Sequence, residues 1–232
     1  MIAERVKMGI PGLDRMMGGG LIPGTINVIV GSYGTGKTTF ATQFLWEGLQ
    51  QGEKAIYISL EENEDRIYAY MAEKGWDIEK YRGVALTVLK FVPYDFNLAI
   101  NSIKNELPVL IRQIGATRVV VDPISLFEDL FDTAATRRQE MFRFVDNLRT
   151  QNCTILMTSE TDKDDPYSSR HNLIEYLADT VILLRYARSD AQTDVHLTLE
   201  VVKMRRSAHS REIKPYEIQQ DGVLVYTDAN VF

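Results

Sequence analysis

Gly31-Ser32-Tyr33-Gly34-Thr35-Gly36-Lys37-Thr38 follows the apolar, β-branched run Ile26-Asn27-Val28-Ile29-Val30. After it, Phe40, Phe44, Leu45 and Leu49 recur at roughly helical spacing until Gly52. The octapeptide fits the pattern G-x-x-x-x-G-K-[ST], and strand, glycine loop and helix is the context that pattern needs. Glycines admit backbone conformations barred to other residues, so successive N–H groups can converge on phosphate oxygens. The helix start near Lys37 adds its partly positive end. Lys37 offers a mobile cation to the β- and γ-phosphates, and the Thr38 hydroxyl is placed to ligate Mg²⁺. A chance glycine turn would not require both flanks. The stretch therefore points to a bound nucleoside triphosphate, contacted by Ser32, Tyr33, Gly34, Thr35, Gly36, Lys37, Thr38 and Thr39.

A chain of 232 residues can build one large α/β domain, expected to span 1–232. Its net charge of −6 argues against broad, non-specific nucleic-acid binding. Arg137, Arg138, Arg143 and Arg149 still leave a local basic patch to weigh, although a solvated helix face would look the same. The single cysteine, Cys153, excludes an internal disulfide and precedes an apolar run, as a buried structural thiol would. No apolar stretch resembles a signal peptide or a membrane span, so a cytoplasmic protein without a membrane partner is expected.

The turn-rich segment Gly9-Ile10-Pro11-Gly12-Leu13-Asp14, with Gly18-Gly19-Gly20-Leu21, leads into the first strand. Further strands are expected over 55–59, 85–91, 118–122 and 154–158. Asn63 can cap a helix through Ile67, Tyr70, Met71 and Lys74 that Gly75 ends. Residues 98–114 have mainly helical spacing, with Pro108 kinking or dividing them, and 136–152 read as an amphipathic helix. From Thr180 the pattern turns β-rich, with strands over 181–184, 195–202, 213–218 and 223–226. A mainly parallel sheet flanked by helices and extended by antiparallel strands follows.

Asp122 closes an apolar strand, where P-loop enzymes place the carboxylate that holds Mg²⁺. Glu61 and Glu62 follow another strand, where open α/β sheets place ligand-binding groups. One of them can orient or polarise an attacking water; a solvated pair favoured by a helix dipole would have the same residues. Thr158-Ser159-Glu160 occupies an equivalent strand end, so a hydroxyl such as that of Ser159 can sense the γ-phosphate. Lys203-Met204-Arg205-Arg206 packs three cations after an expected strand, either as a solvated turn or as a cation lent to a neighbouring protein's site.

Together, Gly9-Ile10-Pro11-Gly12-Leu13-Asp14, Gly19-Gly20-Leu21, the phosphate loop, Ser59-Leu60-Glu61-Glu62, Gly75-Trp76-Asp77 and Lys203-x-Arg205-x-Ser207-x-His209 resemble a KaiC domain of the RecA-like P-loop ATPases. The likeness runs from about Gly9 to Ile218 and covers one such domain. It implies ATP and Mg²⁺ as ligands, Glu61 and Glu62 as paired catalytic glutamates, and Glu62 beside Thr38 and Asp122 at the metal. It also implies that Lys203, Met204, Arg205, Ser207 and His209 reach the nucleotide of an adjacent subunit in a ring, most often a hexamer. Lys203 and Arg205 would then be catalytic in trans. The output would be conformational, read by a regulatory protein partner. In the second domain of the family's two-domain clock protein, an autophosphorylated Ser-Thr pair precedes an Asp-Thr dipeptide. Here Asp179-Thr180 is kept, but Glu175 and Tyr176 hold the pair's positions, which argues against autokinase activity. The competing class is an ATP-switched, DNA-binding recombinase paralogue with little hydrolysis.

Overall fold

The computed structural model describes residues 4–91, 105–188 and 195–229. Among the described residues nine strands form one sheet in the order β3-β2-β4-β5-β1-β6-β7-β8-β9. The parallel part comprises β1 (Ile26–Gly31), β2 (Ala55–Ser59), β3 (Leu86–Lys90), β4 (Arg118–Asp122), β5 (Thr154–Ser159) and β6 (Thr180–Arg188). β7 (Val195–Met204), β8 (Lys214–Gln219) and β9 (Gly222–Val225) add to β6 in antiparallel fashion. Every residue of β1, β2, β4 and β5 is buried. Strands covered on both faces have no solvent side to mark with polar residues, and so they read as near-continuous apolar runs.

Helices cover both faces. On one face α1 (Pro11–Met16), α2 (Lys37–Gln50) and α3 (Glu64–Glu73) bring Leu13, Phe40, Phe44 and Met71 against Tyr57, Leu156 and Ile182. On the other, α4 (Leu107–Ile114), α5 (Ile124–Glu128), α6 (Ala134–Arg149) and α7 (Ile174–Leu177) pack Ile111, Phe127, Phe144 and Leu148 against Val28, Ile56 and Val119. Among the described residues no helix is long and apolar enough to cross a membrane.

Several expectations are corrected. Lys203 and Met204 belong to β7 and do not follow it, because antiparallel pairing with Thr180 and Val181 carries the strand two residues further. The helix expected over 98–114 lies partly outside the described residues. Its described part is helical from Asn105, where a π-helical turn over Asn105 and Glu106 gives way to the α-helix at Leu107, so Pro108 falls where the helix changes type. The helix expected over 136–152 starts earlier, at Ala134, with Thr133 accepting the Thr136 amide, and ends at Arg149. Asn63 occupies the N-cap position of α3 without a capping side-chain bond; its oxygen accepts Lys90 Nζ at 2.5 Å instead. Cys153 is buried, which pushes its thiol up to about 12.

Candidate functional site

The carboxyl ends of β1, β2, β4 and β5 converge: β2 pairs Ser59 with Asp122, and β1 pairs Val30 with Ser159. From the end of β1 the chain turns through Ser32 to Gly36 into α2. Gly34 (φ 75°) and Gly36 (φ 83°) hold left-handed conformations that favour glycine. Side chains at those positions would also collide, at Gly34 with the Tyr186 hydroxyl and at Gly36 with Ile218 Cδ1, 2.5 Å away. The cradle is therefore both bent and tightly backed.

Lys37 folds back over this loop, Nζ donating to the carbonyls of Gly31 (2.8 Å) and Ser32 (3.0 Å). Burial lowers its pKa, while Asp122, Glu160 and Glu61 act in the opposite direction. Thr38 Oγ1 donates to Asp122 Oδ2 at 2.9 Å. Asp122 is fixed further by the hydroxyls of Tyr57 and Thr158, one to each carboxylate oxygen. Thr39 meets Tyr70 hydroxyl to hydroxyl. A cavity of about 530 Å³ opens over the loop, lined by Lys37, Thr38, Glu61, Tyr70, Asp122 and Glu160 among others. A wider hollow of about 750 Å³ adjoins it past Ser32, Tyr33 and Glu160, towards Lys163, Arg170 and His171.

The two glutamates after β2 part ways. Glu61 lines the smaller cavity, and burial raises its pKa with help from Asp122, Glu62 and Glu160. Glu62 pairs with Arg66 at 3.0 Å, and its backbone exchanges hydrogen bonds with Ser59 Oγ. Ser159 is buried and its hydroxyl donates to the Glu160 carbonyl. Glu160 faces the cavity and accepts Arg170 Nη1 at 2.7 Å.

The 203–209 segment lies elsewhere. β6 sets Asn27 and Thr180 side by side, and Thr180 opposite Met204. This brings the end of β7 beside the start of β1, the opposite end of the sheet from the phosphate loop. Lys203 Nζ donates to the carbonyls of Glu175 (2.6 Å) and Ala178 (2.7 Å); burial, then Arg205, lowers its pKa. Arg205 donates to the Tyr176 carbonyl at 2.8 Å and stands 3.6 Å from Asp179. Met204 is buried, Ser207 accepts Arg5 at 2.8 Å, and both ring nitrogens of His209 are buried without a hydrogen-bond partner among the described residues. None of these side chains lines either cavity beside the chain's own phosphate loop. Glu175, in the autophosphorylation-pair position, accepts the Ser169 amide and hydroxyl.

On α6, Arg137 and Arg149 are held by backbone carbonyls, whereas Arg138 and Arg143 are exposed. Arg137 caps the carbonyls of Glu128 and Phe131, Arg143 pairs with Glu140 at 3.1 Å, and Arg149 donates to the Leu177 carbonyl.

A model of the family described as "ATPase: KaiC" matches residues 6–230. The chain belongs to the KaiC family. Among KaiC relatives and their kin, a UPF0273 protein of Pyrococcus furiosus is 31% identical over 98% of this chain and 96% of its own length. Circadian clock protein KaiC3 of Synechocystis is 31% identical over 96% of this chain, which spans only 45% of that longer protein. The crystal structure of a KaiC-like protein from Pyrococcus horikoshii superposes with a TM-score of 0.85 at 29% identity, covering 97% of this chain and 99% of that one. KaiC membership makes this a P-loop chain of an ATP-binding ATPase family with a RecA-like sheet.

Proposed function

We propose that this chain is a Mg²⁺-dependent ATPase, one domain across 1–232, that works as a ring-shaped oligomer, most simply a hexamer. The carrying observation is the Thr38 hydroxyl on the Asp122 carboxylate at the mouth of a glycine loop, with Glu61 lining the same cavity. One hydroxyl and one carboxylate suit Mg²⁺, which keeps several waters and takes its other ligands from phosphate. Those two residues would hold the ion, Glu62 joining them only after leaving Arg66. When bound, the metal supplies charge neutralisation on the β- and γ-phosphates.

The chain's own groups account for the rest. Loop amides from Ser32 to Thr39 receive the phosphates, and Lys37 exchanges two backbone carbonyls for phosphate oxygens. Glu61 takes a proton from the attacking water, and burial, by raising its pKa, makes it a stronger base. Ser159 supports the loop after β5 from within, so its hydroxyl must turn away from the Glu160 carbonyl to donate to the γ-phosphate.

Lys203 and Arg205 cannot serve their own phosphate loop from the far end of the sheet. That separation supports a site shared between copies, in which Lys203, Arg205 and Ser207 reach the neighbour's nucleotide, and in which the Met204 side chain and the His209 ring nitrogens, buried in their own chain, take part only after rearranging. The net charge of −6 leaves less support for a DNA switch. A conformational output to a regulatory protein fits a slow ring ATPase. Replacing Glu61→Gln together with Glu62→Gln should keep ATP affinity within about threefold and lower phosphate release at least a hundredfold. Unchanged release would remove both glutamates from the chemistry.

A further inference from the structure

The carbonyls of Gly31, Ser32, Tyr33 and Thr35 each accept a side-chain donor. Gly31 and Ser32 accept Lys37, and Ser32 also accepts Thr35 Oγ1 at 2.7 Å. The next two acceptances come from far along the chain. Tyr186 of β6 donates its hydroxyl to the Tyr33 carbonyl at 3.2 Å, and Tyr216 of β8 donates to the Thr35 carbonyl at 2.6 Å. Tyr216 is 2% exposed and meets the Phe40 ring edge-on, with centroids 5.3 Å apart, so its hydroxyl is held in place. Neither tyrosine lines the cavity over the loop, whereas Gly34 and Gly36 do.

A trans peptide carries its C=O and its N–H on opposite edges of one plane. Fixing the Tyr33 carbonyl outward therefore aims the Gly34 amide inward, and fixing the Thr35 carbonyl does the same for the Gly36 amide. Both glycines have φ near 80°, where the backbone has no side chain to hold its orientation. Lys37 cannot supply that constraint in the loaded state, because its ammonium must leave the loop carbonyls for phosphate.

We propose that Tyr186 and Tyr216 are positioning residues for the nucleotide: their hydroxyls preset two peptide planes so that the Gly34 and Gly36 amides meet phosphate oxygens without reorganisation. The inference rests on the triphosphate assignment above and adds to it two residues more than 150 positions away in the sequence. Ordering a loop before the ligand arrives removes a cost otherwise charged to binding.

Tyr186→Phe, Tyr216→Phe and the double variant test this in the full chain. Calorimetric titration with Mg-ATP and Mg-ADP, phosphate release and nucleotide-free melting are compared with the wild type. Each single variant should weaken ATP and ADP alike by about three- to tenfold, the value of one hydrogen bond, and the double variant by more. The loss should appear in KM and not in kcat, because an amide held on a phosphate serves ground and transition states equally. A lower melting temperature with unchanged nucleotide affinity would make the tyrosines structural supports and overturn the proposal. So would a loss confined to kcat. A wild-type chain that binds neither nucleotide would overturn the triphosphate assignment and this inference with it, whereas normal binding in all four proteins would overturn the inference alone.

Discussion

Glu128 ends α5 fully buried, and neither of its carboxylate oxygens has a hydrogen-bond partner among the described residues. Burial pushes its pKa up to about 8; Glu175 and Asp129 add to the rise, and Arg137 and Arg170 oppose it. In the unfolded chain the same group titrates near 4.5. Between those values the folded chain keeps a proton that the unfolded chain has released. Stability therefore falls as pH rises through that window and levels off above about 8. Glu128→Gln removes the titration, so its melting temperature should exceed wild type by about 3–8 °C at pH 8 and by much less at pH 5. The same difference at both pH values would contradict the assignment. Residues that act through their chemical type at fixed spacing, such as Gly34, Gly36, Lys37, Thr38 and Asp122, were legible in the sequence. Tyr57, Tyr186 and Tyr216 were not. An aromatic ring in an apolar strand reads as core, and only the fold shows that its hydroxyl meets a group 65, 153 or 181 positions away. Glu128 was hidden for the opposite reason, since a glutamate on a helix is ordinarily solvated.

Long elements announced themselves, and short ones did not. The buried parallel strands and α2, α3 and α6 carry enough residues for run length or a 3.6-residue period to register. α5 and α7, with five and four residues, have no period to read. Sequence also gave no warning of how α2 meets β4. Arg118, 1% exposed, is pinned at the start of β4 by two bonds to Glu53 (3.0 and 2.7 Å) and by the carbonyls of Lys7 and Phe44 (2.6 and 2.8 Å). Gly48 gives that guanidinium room, since a Cβ there would lie 2.5 Å from Arg118 Cδ. On an exposed helix, glycine to alanine stabilises by about 1 kcal/mol. Here Gly48→Ala should destabilise by about 1–3 kcal/mol, because a fully bonded arginine cannot yield without losing partners. Denaturant titration reads the sign directly, and a gain in stability would show that the α2–β4 contact is looser than described.

Over the whole molecule, the sheet holds two groups of residues apart. Its carboxyl edge carries the phosphate loop, Asp122 and Glu61, and its other edge carries Lys203 and Arg205. Along β1 the two ends are separated by four residue steps from Asn27 to Gly31, or about 13 Å. The proposed ring would set the phosphate loop of one chain against Lys203 and Arg205 of the next, a head-to-tail arrangement that can close on itself. Complementation between defective copies tests this most directly. Lys37→Ala should disable a chain's own phosphate loop while leaving its Lys203 and Arg205 free to act elsewhere. The double substitution Lys203→Ala with Arg205→Ala should do the reverse. Each protein alone should release almost no phosphate, and an equal mixture should recover about a quarter of wild-type activity, the share of interfaces that pair an intact loop with an intact neighbour. Mixed oligomers that stay inactive, or a Lys203→Ala/Arg205→Ala protein that hydrolyses ATP at the wild-type rate, would contradict a site shared between subunits.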